Sequence, residues 1–263
     1  MVIVLYKFII LPIINKIICM KACVFLLLLM ILTSCHVSET IVIDENGAGT
    51  IETEEVRDEY SYMKIAGENY GKEENYQDTL YKFNDIINKY NANFVRFSNN
   101  EKETLLKYKD VEVVINKNSY TKDFRTRIFQ RFDKVEDVAD LYKTEDYCED
   151  LEKNYAMSPE EHYYHISYTF DGTVFNRKVK ITNKENHEKK SFEIDNLKSQ
   201  FSRFKINETY LLNYNFPKKI KSISNSNAKI SSDRKSMKLQ FVLSECLQNP
   251  EITNLEVVLE NEK

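Results

Sequence analysis

The chain has 263 residues, 37 of them Lys or Arg and 41 Asp or Glu, for a net charge of −4. An acidic balance of this kind argues against a nucleic-acid binder, whose affinity rests on basic side chains set against phosphate. Five cysteines and no tryptophan supply no disulfide framework of the kind that staples small secreted domains.

Residues 1–19 form an apolar run broken by Lys7 and Lys16, and Met20-Lys21 then opens a second run from Ala22 to Leu32. A positive start, a short apolar segment and small residues at its end are the marks of a secretory signal. The second run ends in Leu32-Thr33-Ser34-Cys35, an aliphatic residue, two small residues and a cysteine, and so resembles the lipobox of bacterial lipoproteins. In that family the cysteine thiol receives a diacylglyceryl group, a peptidase cuts before it, and the new amino terminus is acylated as well, with palmitate or a similar chain. The resemblance therefore implies a signal peptide over residues 1–34 and lipid attachment at Cys35. Two acyl chains suffice for stable anchoring, whereas one is marginal. Met20-Lys21 alone completes a signal of ordinary proportions, which points to translation starting at Met20; an extended n-region from Met1 is the alternative.

Loss of the leader removes Lys7, Lys16 and Lys21 from the 37 basic residues and leaves the 41 acids untouched, so the mature chain carries 34 bases and a net charge near −7. Of its cysteines, Cys148 and Cys246 remain beside Cys35. In an exported protein they are free to pair, but two cysteines so far apart in sequence read better as separate buried thiols.

The mature chain opens as a strand over 36–44 with Ile41 and Ile43 on one side, a turn at Glu45-Asn46-Gly47-Ala48-Gly49, and a return strand over 50–57. Asn and Gly accept the positive φ of tight hairpins. Asp44-x-Asn46-Gly47 lacks the further ligands of a calcium loop. Residues 58–74 are polar and weakly patterned. Tyr76, Leu80, Phe83, Ile87, Tyr90 and Phe94 recur at spacings that predict one amphipathic helix, and Ser98 is placed to cap a second helix reaching Tyr108. Val111, Val113 and Ile115 alternate as a strand, and Phe124, Thr126, Ile128 and Phe132 mark the inward face of its partner. The opposite face carries Arg125, Arg127 and Arg131. Such a row could hold an anionic headgroup or phosphate; the competing reading is a solvated face paired with nearby acids.

Residues 135–143 predict a short amphipathic helix, and 144–159 an acidic connector, which places an internal boundary near 145–160. Residues 162–170 alternate as a strand, Asp171-Gly172 turns, and 173–181 returns. His162 and His165 are three apart on a strand and face opposite ways, so they cannot share a metal. A charged helix spans 184–204, with Ile194, Leu197, Phe201 and Phe204 on one stripe. Strands follow over Ile206 to Phe216, Met237 to Phe241 and Leu255 to Leu259, with a short helix over 244–248. Lys218-Lys219-Ile220-Lys221 is a second small basic cluster.

No glycine-rich phosphate loop, nucleophile elbow or His-Glu-x-x-His helix occurs, and the acids are scattered along solvent faces. No cofactor and no metal is implied. The order of strand, Asn-Gly-x-Gly hairpin and strand after Cys35, with the ending Tyr214-Asn215-Phe216-Pro217, the stretch from Ser224 to Ile230 and the polar turn Ser231-Ser232-Asp233-Arg234-Lys235, resembles LppM-like exported lipoproteins. The resemblance implies an affinity for envelope lipids; the apolar C-terminal stretch that some members carry is not seen here.

The sequence thus predicts an α+β domain over 35–263, built of antiparallel sheet and packed amphipathic helices behind a lipoprotein signal. The expected function is that of a non-enzymatic, lipid-anchored envelope protein that binds a lipid, glycan or protein. An envelope hydrolase with dispersed catalytic groups and a structural or assembly-accessory lipoprotein are the alternatives. The membrane is engaged through acylated Cys35. His36-Val37-Ser38-Glu39-Thr40 lacks the acidic run that resembles surface-export signals, so the expected location is the periplasmic face of the outer membrane.

Overall fold

The computed structural model describes residues 35–153, 163–200, 202–203 and 208–261. The leader, His162, Phe201, Phe204 and Ile206 lie outside the described residues. The domain is α+β, with a large mixed sheet facing a smaller antiparallel one.

β1 (Cys35–Ile43) and β2 (Gly49–Arg57) form the expected hairpin, in register from Cys35 opposite Arg57 to Ile43 opposite Gly49. Asp44 closes the turn: its Oδ1 accepts from the backbone N–H groups of Asn46 and Ala48 at 2.8 and 3.1 Å. Gly47 sits at φ 84°, where a side chain would be strained. At Gly49 a Cβ would come within 1.9 Å of the Val42 carbonyl oxygen, so the strand closes here only around glycine.

Residues 58–74 contain a helix that the polar sequence did not announce, α1 (Glu59–Ala66). Asp58 caps it, accepting from the Ser61 N–H at 3.0 Å. The single helix expected from Tyr76 to Phe94 divides. Its first half is β3 (Tyr76–Lys82), and only the second is helical, as α2 (Phe83–Lys89) and α3 (Asn91–Phe94). Tyr76 to Lys82 pair in register along one side with β4 (Glu112–Asn118), and this outweighs the helical spacing of the side chains. Tyr76 and Leu80, expected in the core, are 66% and 68% exposed. α4 (Asn99–Leu106) has its capping box: Ser98 Oγ accepts from the Glu101 N–H, and Glu101 accepts from the Ser98 N–H.

β5 (Asp123–Phe132) alternates as expected, with Ile128, Gln130 and Phe132 buried. The helix expected over 135–143 is two separate 3-10 turns, Val135–Asp137 and Leu141–Lys143. The cause is Asp140, drawn inward between them so that its Oδ2 accepts from the Ile166 N–H at 3.1 Å. The expected connector is helix α5 (Thr144–Lys153), which buries Tyr147 and Leu151 one turn apart.

β6 (Tyr164–Phe170), β7 (Val174–Ile181), β9 (Ile220–Ile223) and β12 (Leu255–Leu259) make the small sheet, in the order β6-β7-β12-β9. The large sheet runs β10 (Lys229–Ile230), β11 (Ser236–Phe241), β8 (Thr209–Asn215), β1, β2, β5, β4, β3. All its pairings are antiparallel except β1 with β8, which is parallel, so the sheet is mixed where antiparallel pairing was expected. α6 (Lys184–Gln200) and α7 (Leu243–Gln248) complete the α-helices among the described residues.

The core lies on the inner face of the large sheet. Over β3, β4 and β5 it is covered by helices, whose Phe83, Leu105, Tyr147 and Leu151, together with Tyr108 just past α4, are buried in one core with Val113 and Ile128. Over β8 and β1 it is covered by the small sheet, where Phe175 meets Tyr214 and Phe216 edge-on at 5.3 and 5.4 Å between centroids. Aromatic edge contacts of this kind add about 0.5–1.5 kcal/mol each beyond burial.

Candidate functional site

Two opposite charges stand in the middle of this apolar contact. On β1 the inward parity runs Val37, Glu39, Ile41, Ile43, and Glu39 is as buried as its neighbours. On β7 it runs Phe175, Arg177, Val179, all buried. Glu39 and Arg177 therefore meet face to face across the two sheets. Arg177 Nε donates to Glu39 Oε1 at 3.0 Å and its Nη2 to Oε2 at 3.1 Å. Nη2 also donates to the Tyr210 hydroxyl at 2.8 Å, while Nη1 donates to the Thr253 hydroxyl and carbonyl at 2.7 and 3.3 Å. All five guanidinium N–H groups are thereby engaged.

The carboxylate is equally surrounded. Its Oε2 accepts from Tyr210 at 3.0 Å and Tyr142 at 3.1 Å, and its Oε1 from Tyr214 at 2.5 Å. Burial alone would raise the Glu39 pKa. The guanidinium and the hydroxyls of Tyr214 and Tyr168 outweigh it and hold the carboxyl below its ordinary value. Arg177 is held well above its own, so the pair is ionised.

Beside this clamp lies a cavity of about 280 Å³ between the sheets. Val37 and Ile128 line it from the large sheet, Ile166 and Val179 from the small one, and Leu243 and Leu247 from α7. Thr53, Thr126, Glu55 and Glu145 add polar edges, and Arg177, Tyr142 and Tyr210 present the clamp. Cys246 also lines it, its thiol pushed up to about 12 by burial. A thiol so protonated is a poor nucleophile.

Asp140, next to the cavity wall through Ile166, is a second buried carboxyl. Lys143 Nζ and His165 Nδ1 each approach its Oδ2 to 3.9 Å, and its Oδ1 has no hydrogen-bond partner. Burial raises its pKa although Lys143, and His165 when protonated, pull it down.

The residues singled out in the sequence lie elsewhere. Cys35 is the first residue of β1. Arg125, Arg127 and Arg131 share the outer face of β5, away from the cavity. There Arg125 pairs with Glu54 at 2.6 Å and approaches Asp123 at 3.8 Å, Arg127 stands opposite Glu54 in register, and the Arg131 guanidinium is 5.7 Å from the Phe129 ring. Cys148 and Cys246 are free thiols. Among the described residues no group of three His, Cys, Asp or Glu side chains is placed to hold a metal ion, and no helix is long and apolar enough to cross a membrane.

Sequence reasoning missed the clamp, although its signal was present. A charge at inward parity between apolar residues, once on β1 and once on β7, is the mark of a buried pair.

No family model and no curated protein matches the chain. Among solved structures it is similar to the folded domain of the LppM protein of Mycobacterium tuberculosis, at 7% identity and a TM-score of 0.37, over 88% of this chain and 92% of that one.

Proposed function

We propose that the chain is a lipid-anchored cell-envelope protein, held through an acylated Cys35, whose domain takes an apolar ligand between its two sheets. The observation that carries the binding reading is the intersheet cavity. A cavity of about 150 Å³ lined by aliphatic and aromatic side chains binds benzene. At 280 Å³ this one suits a ring system or a stretch of acyl chain, and not a whole two-tailed lipid.

The polar groups at the cavity favour binding over catalysis. Arg177 has spent its donors on Glu39, Tyr210 and Thr253, so it has no N–H left to donate to a reacting oxyanion. Glu39 is engaged on both oxygens and held ionised, which suits it to fastening the sheets rather than to exchanging protons with a substrate. We read Arg125, Arg127 and Arg131 as a solvated, charge-paired face rather than an anion site, because Glu54 already stands among them. The lipobox supports export, and the absence of an acidic run after Cys35 supports the periplasmic face of the outer membrane.

The test has two parts. Acyl labelling and mass spectrometry of the protein from its own envelope should find the lipid on Cys35 and lose it in Cys35→Ala; persistent labelling in that variant refutes the anchor. An apolar fluorophore such as N-phenylnaphthylamine should brighten on binding, and Ile166→Phe or Leu247→Phe should cut that response by filling the cavity. Unchanged binding in both variants, with melting transitions intact, would refute the cavity as the site.

A further inference from the structure

We infer that one end of the large sheet is an interfacial rim that rests in the headgroup layer of a phospholipid bilayer, with Tyr60, Tyr76 and Tyr120 as its contacts. The inference rests on the acylated Cys35 of the proposed function and adds to it the orientation of the domain on the membrane.

The strand registers carry the argument. Cys35 stands opposite Arg57, Val56 opposite Arg125, Lys117 opposite Phe124, Asn118 opposite Asp123, and Tyr76 opposite Asn118. On the other side His36 is beside Thr209. The ends of β8, β1, β2, β5, β4 and β3 therefore form one continuous row with Cys35 in it. At about 4.8 Å between strands, Tyr76 lies four steps or roughly 19 Å from Cys35 along that row.

β1 begins at Cys35 itself, so no spacer separates the anchor from the folded sheet. An acylated Cys35 would set its own strand end at the bilayer surface, and its neighbours in the row come down with it. Those neighbours expose large amphipathic side chains from three separate segments. Tyr60, 55% exposed, and Met63 lie on α1, which starts two residues after β2 ends; Tyr76, 66% exposed, opens β3; and Tyr120, 86% exposed, tips the turn between β4 and β5. Tyrosine combines an apolar ring with a hydroxyl that stays wet, the combination found at membrane interfaces.

Charge at this end is mixed. Lys64 reaches to 5.3 Å from the Tyr60 ring and Lys122 to 5.0 Å from the Tyr70 ring, while Glu68, Glu74 and Asp123 are also present. The contact is thus one of rings with the interface, and neutral phosphatidylcholine serves as the probe.

The chain has no tryptophan, so single reporters can be read without background. Tyr120→Trp and Tyr76→Trp report on the rim, and Asn46→Trp reports on the β1–β2 turn, about 27 Å away along the strand. Each acylated full-length product, purified from its own envelope, is reconstituted into vesicles of phosphatidylcholine with brominated acyl chains. Bromine should quench the two rim reporters roughly twofold more than Asn46→Trp, as expected for rings held at the interface. Protein that carries the acyl mass and floats with the vesicles, yet quenches equally at both ends, overturns the rim and leaves the anchor standing. Protein without the acyl mass overturns the anchor and the rim with it. A stable dimer in detergent together with unquenched rim reporters would assign the surface to a second copy, and also overturns the proposal.

Discussion

Taking a carboxylate and a guanidinium out of water costs several kcal/mol each, and the loss is recovered only where every donor and acceptor finds a partner. Glu39 and Arg177 meet that condition, with five N–H groups and both carboxylate oxygens engaged. Removing one member leaves the other charged and buried, so Arg177→Met should lower stability by about 3–5 kcal/mol. The double variant Glu39→Leu/Arg177→Met should cost less than the two single changes added, since it leaves no orphaned charge. It should still fall below the parent, because Tyr210 and Tyr214 lose their acceptor. Urea unfolding of the four proteins measures the coupling directly, and strictly additive costs would mean that the two charges do not act as a unit.

At the scale of the element, helix α4 depends on a reciprocal cap. Ser98→Ala should cost about 1 kcal/mol, and Glu101→Ala added to it should cost little more, because the two side chains close one box. Matching losses in urea midpoint for the single and double variants would show this; fully additive losses would not fit. That cap was readable in the sequence because it is local, as was the β1–β2 hairpin with its Asp44, Gly47 and Gly49. Strand parity was equally readable: Ile41, Ile128 and Tyr214 point inward as their spacing requires. What failed was whatever a distant partner decides. Tyr76 to Lys82 carries helical spacing yet pairs with β4. Residues 135–143 lose their helix because Asp140 turns inward to an N–H of β6. The parallel β1–β8 pairing joins segments more than 170 residues apart, such as His36 and Thr209, and no local pattern reports it. The clamp lies between these cases, since its parity was legible on each strand while its pairing was not.

Across the whole molecule, two buried carboxyls should impose opposite pH dependences. Glu39 is held below its ordinary 4.5 in the folded state. The stability it contributes is therefore complete above that value and is lost as pH falls through the lower folded one. Asp140 is raised above its ordinary 3.8, since burial outweighs Lys143 and His165. Its effect is a cost: absent below 3.8, it grows as pH rises through the folded value and is complete above it. Asp140→Asn keeps an acceptor for the Ile166 N–H but carries no charge, so its advantage over the parent should grow as pH rises past 3.8. The deficit of Glu39→Leu/Arg177→Met, by contrast, should shrink as pH falls below 4.5. His165, held below 6.5 by burial, adds a further loss as pH falls through that region. The comparison must therefore be made between variants at each pH and not along one profile. Urea midpoints from pH 3 to 8 supply it: the two difference curves should slope in the stated directions, and curves that run flat would mean that neither carboxyl helps decide how firmly the sheets are held together.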